Sequence, residues 1–283
     1  MGFKSKRSPW GKPIWRRSSL NLQRAAIQTR AFIFKNWIMT KRNIFSLFEI
    51  LFWPVVGFFS VGLLTTFLEL DPNRTGFILI GIISMSAIQV CQIDVAEALL
   101  YDLWAKSMKH TFIAPIHPYQ LLLGSWLIGV IRSLVVFLLL SLFSLFVFDF
   151  DFLRPGLLPI GLFLLGLFFT SALVGMTVCI LVLLFGYKAE VAAWSLSSLM
   201  ALVCGIYYPI SILPTPLAEM ARWIPLTHFL AYLRSFYGFE EGFRNLLRWG
   251  FGLTGFYLTL EVALFRWVLH RAKRTGMILK LSE

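Results

Sequence analysis

The chain has 283 residues, 58% of them hydrophobic and 14% charged, with a formal net charge of +12. Its mean hydropathy is +0.76, whereas a soluble domain carries charge on about a quarter of its residues. The basic excess does not point to nucleic acid: it is concentrated in residues 4–42, before the first apolar run, and in 271–280, after the last. That pattern retains cationic flanks in the cytoplasm. A polytopic membrane protein is expected, with both ends inside.

Residues 1–18 are basic and rich in Pro, Gly and Ser. Over 20–40, Leu20, Ile27, Ala31, Phe34 and Ile38 fall on one helical face, which predicts an amphipathic helix in the cytoplasmic interface. The alternative is a helical extension of the first span. No small-residue cleavage site follows a short apolar core, so a cleaved signal peptide is not expected. Residues 1–43 form one cytoplasmic segment, 44–270 the membrane domain and 271–283 a basic tail.

The apolar runs are long enough to cross a hydrocarbon core of ~30 Å. They predict six spans, roughly 44–68, 77–96, 119–148, 157–185, 191–207 and 249–269, and an all-α fold. Between the second and third lies the most unusual stretch, from Glu97 onward. Residues 97–113 suit a cytoplasmic helix, with Leu99, Leu100, Leu103, Trp104 and Met108 at three- and four-residue spacing. Pro115 and Pro118 end it, because proline lacks the amide hydrogen and disfavours helix in the residue before it. A second unusual stretch, 208–248, is too polar and proline-broken to cross as one helix. Its segments can dip into the bilayer where protein covers the irregular backbone.

Ionisable groups within spans are costly and often functional. Glu49, Asp94 and Glu97 fall near the cytoplasmic ends of spans 1 and 2. Asp94 and Glu97 share a helix face and are candidates to pair with Lys106, Lys109 or the interfacial helix. Arg132 lies well inside span 3 and must snorkel, pair with a carboxylate or line a wet cavity. Glu261, midway along span 6, is its natural partner candidate, and contact with an anionic substrate is the functional alternative. Ser171 and Gly175 form a small-xxx-small pair suited to close helix packing.

No catalytic constellation stands out. The phosphate loop GxxxxGK[ST] is absent, as are HExxH and GxSxG. The histidines His110, His117, His228 and His270 are scattered. Cys91, Cys179 and Cys204 lack the spacing of a metal site or a disulfide framework and read as packing residues.

Two stretches together resemble a known family. EALLYDLW followed by APIHPYQLLLGSWLIGVIRSLV is similar to the inner loop and third span of ABC-2 type transporter permeases. CGIYYPISILPTPLAEMARWIPLTHFLAYLRSFY resembles the segment after their fifth span. The resemblance implies a permease subunit with no cofactor of its own, resting on a separate ATP-binding subunit that holds ATP and Mg. A second copy of the chain, or a related permease, would complete the path. Residues 99–113 would act as the coupling helix, with Leu99, Leu103, Trp104, Lys106, His110 and Pro115 at the contact. Residues 209–237, with Tyr208, Pro209, Pro214 and Pro225, would form short re-entrant helices gating the exit. The implied activity is export of an amphipathic, lipid-linked or saccharide substrate from the inner membrane of a bacterial-type cell. Its alternative is an ion-coupled secondary carrier, although the two halves of the chain show no evident repeat.

Overall fold

The computed structural model describes residues 44–107, 118–239, 242 and 245–274. The interfacial helix expected over 20–40, His110 and Pro115 lie outside the described residues. Glu49 belongs to the first described helix, and its side chain is not among those described.

Every regular element among these residues is helical. They are α1 (Ile44–Phe67), α2 (Pro72–Trp104), α3 (Pro118–Phe148), α4 (Leu157–Phe185), α5 (Ala192–Val203), α6 (Thr215–Arg222), α7 (Pro225–Ser235) and α8 (Leu246–Arg274). Short 3₁₀ turns lie at Gly186–Ala189 and Ile210–Ile212. Prolines start several helices. Pro72, Pro118 and Pro225 each stand at the first position, where the missing amide hydrogen costs nothing and φ is already helical.

Five helices, α1 to α4 and α8, are long and apolar enough to cross a membrane. The bundle is organised around α2. Of its best apolar window 78% is buried, against 17% for α1 and 22% for α8. The peripheral helices turn Phe52, Val56, Leu64, Phe67, Phe256 and Leu260 outward, as lipid-facing helices do when the surrounding solvent is hydrocarbon.

Among the described residues the core has two main layers, with a small third cluster of Val203, Ile210 and Ala221. At the Trp104 end of α2, Leu99, Leu103, Val178, Val182, Phe265 and Val268 pack together. Towards the Pro72 end, Leu79, Ile83, Phe137, Phe163, Leu226 and Phe229 form the second cluster. Cys91, Cys179 and Cys204 are free, buried thiols, with Cys179 in the first layer and Cys204 in the second. Cys179 donates to the Val95 carbonyl of α2.

Two sequence boundaries differ from the observed ones. The helix expected over 97–113 does not begin at Glu97: residues 97–104 are the last two turns of α2. A charged residue lowers hydropathy without breaking a helix, so the apolar run ended at Ala96 while the backbone continued. With 33 residues, α2 is about 50 Å long at 1.5 Å per residue. It therefore outreaches the hydrocarbon core. It stops where Lys106 takes φ 52°, and Tyr187 then donates its hydroxyl to the Leu103 carbonyl at 2.8 Å.

The run 191–207 is likewise not one continuous helix. Its helix α5 has 12 residues, about 18 Å, and breaks at Gly205, whose φ is +70°. Even so, the segment joins the two layers: Ala193 packs in the first cluster, Cys204 and Ile206 in the second.

Small residues set the helix spacings. A Cβ on Gly175 would collide with Val95, so the Ser171–Gly175 face of α4 lies directly on α2. At Gly81 an added Cβ would strike the Ile206 carbonyl oxygen, which is backbone and cannot rotate away. Gly161 in α4 has nothing within 4 Å of the same position. Gly81→Ala is therefore expected to cost about 1–3 kcal/mol, the usual range for overpacking. Gly161→Ala should gain up to ~1 kcal/mol from helix propensity. Thermal unfolding of the two variants in one detergent checks the contrast.

Candidate functional site

Three of the charges found in the spans, Asp94, Glu97 and Arg132, converge beside a cavity near the Trp104 end. Gly129 of α3 meets the Cys91 carbonyl and the Asp94 Cβ of α2, so the helices touch there. One turn further along α3, Arg132 forms an ion pair with Asp94. Both side chains are largely buried, at 16% and 9% exposure. A charge at this depth is tolerable only with such a partner. Ser133 ties the same helices by donating to the Ala87 carbonyl at 2.6 Å.

This corrects two pairings. Glu261 is not the partner of Arg132; it lies on α8 and accepts a hydrogen bond from Thr177 of α4 at 2.6 Å. Asp94 pairs with Arg132 across the helix pair, while Lys109 and the interfacial helix, the other expected partners, lie outside the described residues. The pairing follows from the antiparallel packing of α2 and α3, which one sequence does not reveal.

The cavity beside this pair has a volume of about 260 Å³. Asp94, Glu97 and Arg132 supply its ionisable lining, and Trp53, Tyr101, Trp104 and Trp194 its aromatic walls. Glu97 and Tyr101 stand one turn apart on α2 and both line the cavity. The second oxygen of Asp94, Oδ2, is buried with no hydrogen-bond partner. Four helices, α1, α2, α3 and α5, contribute to this chamber.

The expected coupling residues divide by burial. Leu99 and Leu103 are fully buried in the core. Trp104, 44% exposed, and Lys106 face outward where α2 ends.

The second site is the segment after α5. Tyr208 donates to the Leu202 carbonyl at 2.6 Å. Pro209 precedes the turn Ile210–Ile212, Pro214 is the N-cap of α6, and Pro225 opens α7. The prolines thus set the start of each short element. Helix α7 is enclosed: Leu226, Phe229, Leu230 and Leu233 are all buried. Gly166 of α4 and Gly250 of α8 leave room for the Phe229 ring between them. His228 donates to the Arg222 carbonyl at 2.9 Å, while burial lowers its pKa below 6.5 and favours the neutral ring. Tyr237 donates to the Phe152 carbonyl at 2.6 Å.

At the centre of this segment is Arg234, which the sequence pattern had not singled out. It is the largest fully buried side chain described. Its guanidinium donates to the carbonyls of Gly205 (2.6 Å), Ile206 (2.8 Å) and Phe77 (3.2 Å). It also lies 3.5 Å from the centroid of the Phe77 ring. One side chain therefore holds α7, the turn after α5 and the start of α2 together. A signal for it was present: Leu226, Leu230 and Arg234 recur at four-residue spacing, which places the arginine on the apolar face of α7.

The model of the ABC-2 type transporter family matches residues 27–237, which takes in α1 to α7. The chain belongs to the ABC-2 type transporter family. It is a permease, a transmembrane component of ABC transport, and the resemblance carried by the two motifs is confirmed. An uncharacterized protein of Archaeoglobus fulgidus is 47% identical over 51 residues, 18% of this chain and 80% of that protein. In this ABC-2 permease the first unusual stretch lends Glu97, Tyr101 and Trp104 to the chamber, and the second carries Arg234.

Proposed function

We propose that the chain is the membrane subunit of an ATP-driven exporter, with ATP and Mg held by a separate ABC ATP-binding subunit and a second permease copy completing the path. Membership of the ABC-2 family carries this reading. The substrate class is an amphipathic, lipid-linked or saccharide molecule leaving the cytoplasm.

The architecture supports the finer assignments. The segment around α5 passes from one core layer to the other and supplies a sixth crossing shorter than a regular span. Six crossings put both ends on one side of the membrane, the cytoplasmic side by the placement of basic residues. The enclosed helices α6 and α7 suit re-entrant elements at the outer end. The Trp104 end then faces the ATPase. Trp104 and Lys106 offer exposed contacts there, while Leu99 and Leu103 stiffen the end of α2 so that a push on it is transmitted along the helix. Closure of the ATPases would act on this end as a rigid-body transition.

Trp104→Asp is expected to leave insertion and thermal stability near those of the parent and to abolish stimulation of the partner ATPase. Leu103→Asp should lower stability outright, because it buries an unpaired charge. Normal ATP-driven transport by the Trp104 variant would remove that residue from the contact.

A further inference from the structure

Helix α2 lines the chamber at the Trp104 end with one continuous face. Val90, Asp94, Glu97, Tyr101 and Trp104 recur there at three- and four-residue spacing, so they stack along the same side of the helix. From Gln89 to Trp104 this strip is about 22 Å long at 1.5 Å per residue. Polar and aromatic side chains are mixed along it, and Trp53 and Trp194 add rings from α1 and α5. Those two tryptophans and Trp104 line the cavity and are also exposed, so they frame its opening. Asp94, which is 9% exposed, engages Arg132 through Oδ1, while its buried Oδ2 has no hydrogen-bond partner. A buried acceptor left in that state is costly, and a donor arriving with a ligand removes the cost.

We infer that the chamber binds the glycosyl head group of an amphipathic glycoside, with a sugar hydroxyl on Asp94 Oδ2 and a sugar ring stacked on the tryptophans. A hydroxyl both donates and accepts, so a polyol serves the Asp94 oxygen and the half-buried Gln89 amide alike. The C–H groups on one face of a pyranose carry slight positive charge, and an indole ring presents a negative face to them. Neither contact depends on a net charge on the ligand. A head group without hydroxyls leaves Oδ2 unsatisfied. The cavity of about 260 Å³ lies below the range of drug-sized pockets, about 300–1,000 Å³. It holds a compact head group, and the apolar remainder lies in the bilayer along α1, the least buried of the five long helices. The site selects one member of the proposed substrate class, and its physiological meaning rests on the transport reading.

The probes share an octyl tail and differ in the head: β-glucoside, methyl-capped tetraoxyethylene, trimethylammonium and sulfate. Binding of each is measured by equilibrium dialysis on the full chain in phosphatidylcholine nanodiscs, at concentrations that leave the discs intact, with empty discs as the blank. Saturable binding of the glucoside is expected, at least about tenfold tighter than that of the other three heads. Gln89→Leu should weaken it about fivefold, the scale of one neutral hydrogen bond. Trp194→Leu, on the exposed start of α5, should weaken it about fivefold, the scale of one aromatic contact. Trp194→Phe, which keeps a ring, should recover most of that loss. Size-exclusion profiles matching the parent confirm that the variants are folded. No saturable glucoside binding, binding of any other head as tight as the glucoside, or an affinity unmoved by both leucine variants overturns the inference. Glucoside binding by a chain that recruits no ATPase would contradict the exporter reading while leaving the site standing. A recruited ATPase with no glucoside binding would do the reverse.

Discussion

Arg234→Met is expected to lower the unfolding free energy by about 3–5 kcal/mol, the scale seen when a buried charged contact loses one partner. The loss comes from the acceptors left behind. The carbonyls of Gly205, Ile206 and Phe77 are fixed by the backbone and buried, and each unsatisfied polar group costs about 1–3 kcal/mol. Arg234→Lys should recover only part of the loss, since an ammonium cannot reach three separated carbonyls from one plane or stack on Phe77 as guanidinium does. Unfolding followed by tryptophan fluorescence orders the three proteins as parent, Lys variant, Met variant. Equal stability of the Met variant and the parent would show that the clamp contributes nothing net.

The second large effect concerns Asp94 and Arg132. Asp94→Asn and Arg132→Met should each destabilise the bundle by about 3–5 kcal/mol, because each leaves a buried charge without its partner. The double variant should lie closer to the parent than either single one, which with single losses of that size means a coupling energy above about 3 kcal/mol, at the top of the range for contacting residues. Simple additivity of the two losses would mean that the pair is not energetically coupled. Transport separates structure from function here: a stable double variant that no longer transports would show that the charges act on the substrate as well as on the fold.

Much of the architecture was legible because hydrophobic length and helix-starting prolines act locally. The limits of α4 agree with the predicted span, and those of α3 do so within a residue. Two boundaries failed for physical reasons. Hydropathy changes at Glu97 while the helix does not, so the end of α2 was read as a separate element. Across 203–208 the hydropathy stays high while Gly205 turns the chain, supported by hydrogen bonds from Arg234, which stands 29 residues further on. The same distinction governs the sites. Asp94, Glu97 and Arg132 were recognisable as costly charges in apolar runs, yet their pairing depends on which faces of α2 and α3 meet at Gly129. Arg234 escaped notice because its segment was read for its prolines and its polarity, where one more charge needs no explanation. Its position on the apolar face of α7 was the better guide.

The central claim is that this permease works with a separate ATPase. The most direct test is a mild-detergent pull-down of the tagged chain from its native membrane, followed by an ATP-hydrolysis assay on the eluate. The account predicts a co-purifying subunit with a phosphate loop and measurable ATP hydrolysis, both reduced by Trp104→Asp. Recovery of the folded permease without any ATPase, under conditions that preserve a known transporter complex, would contradict it.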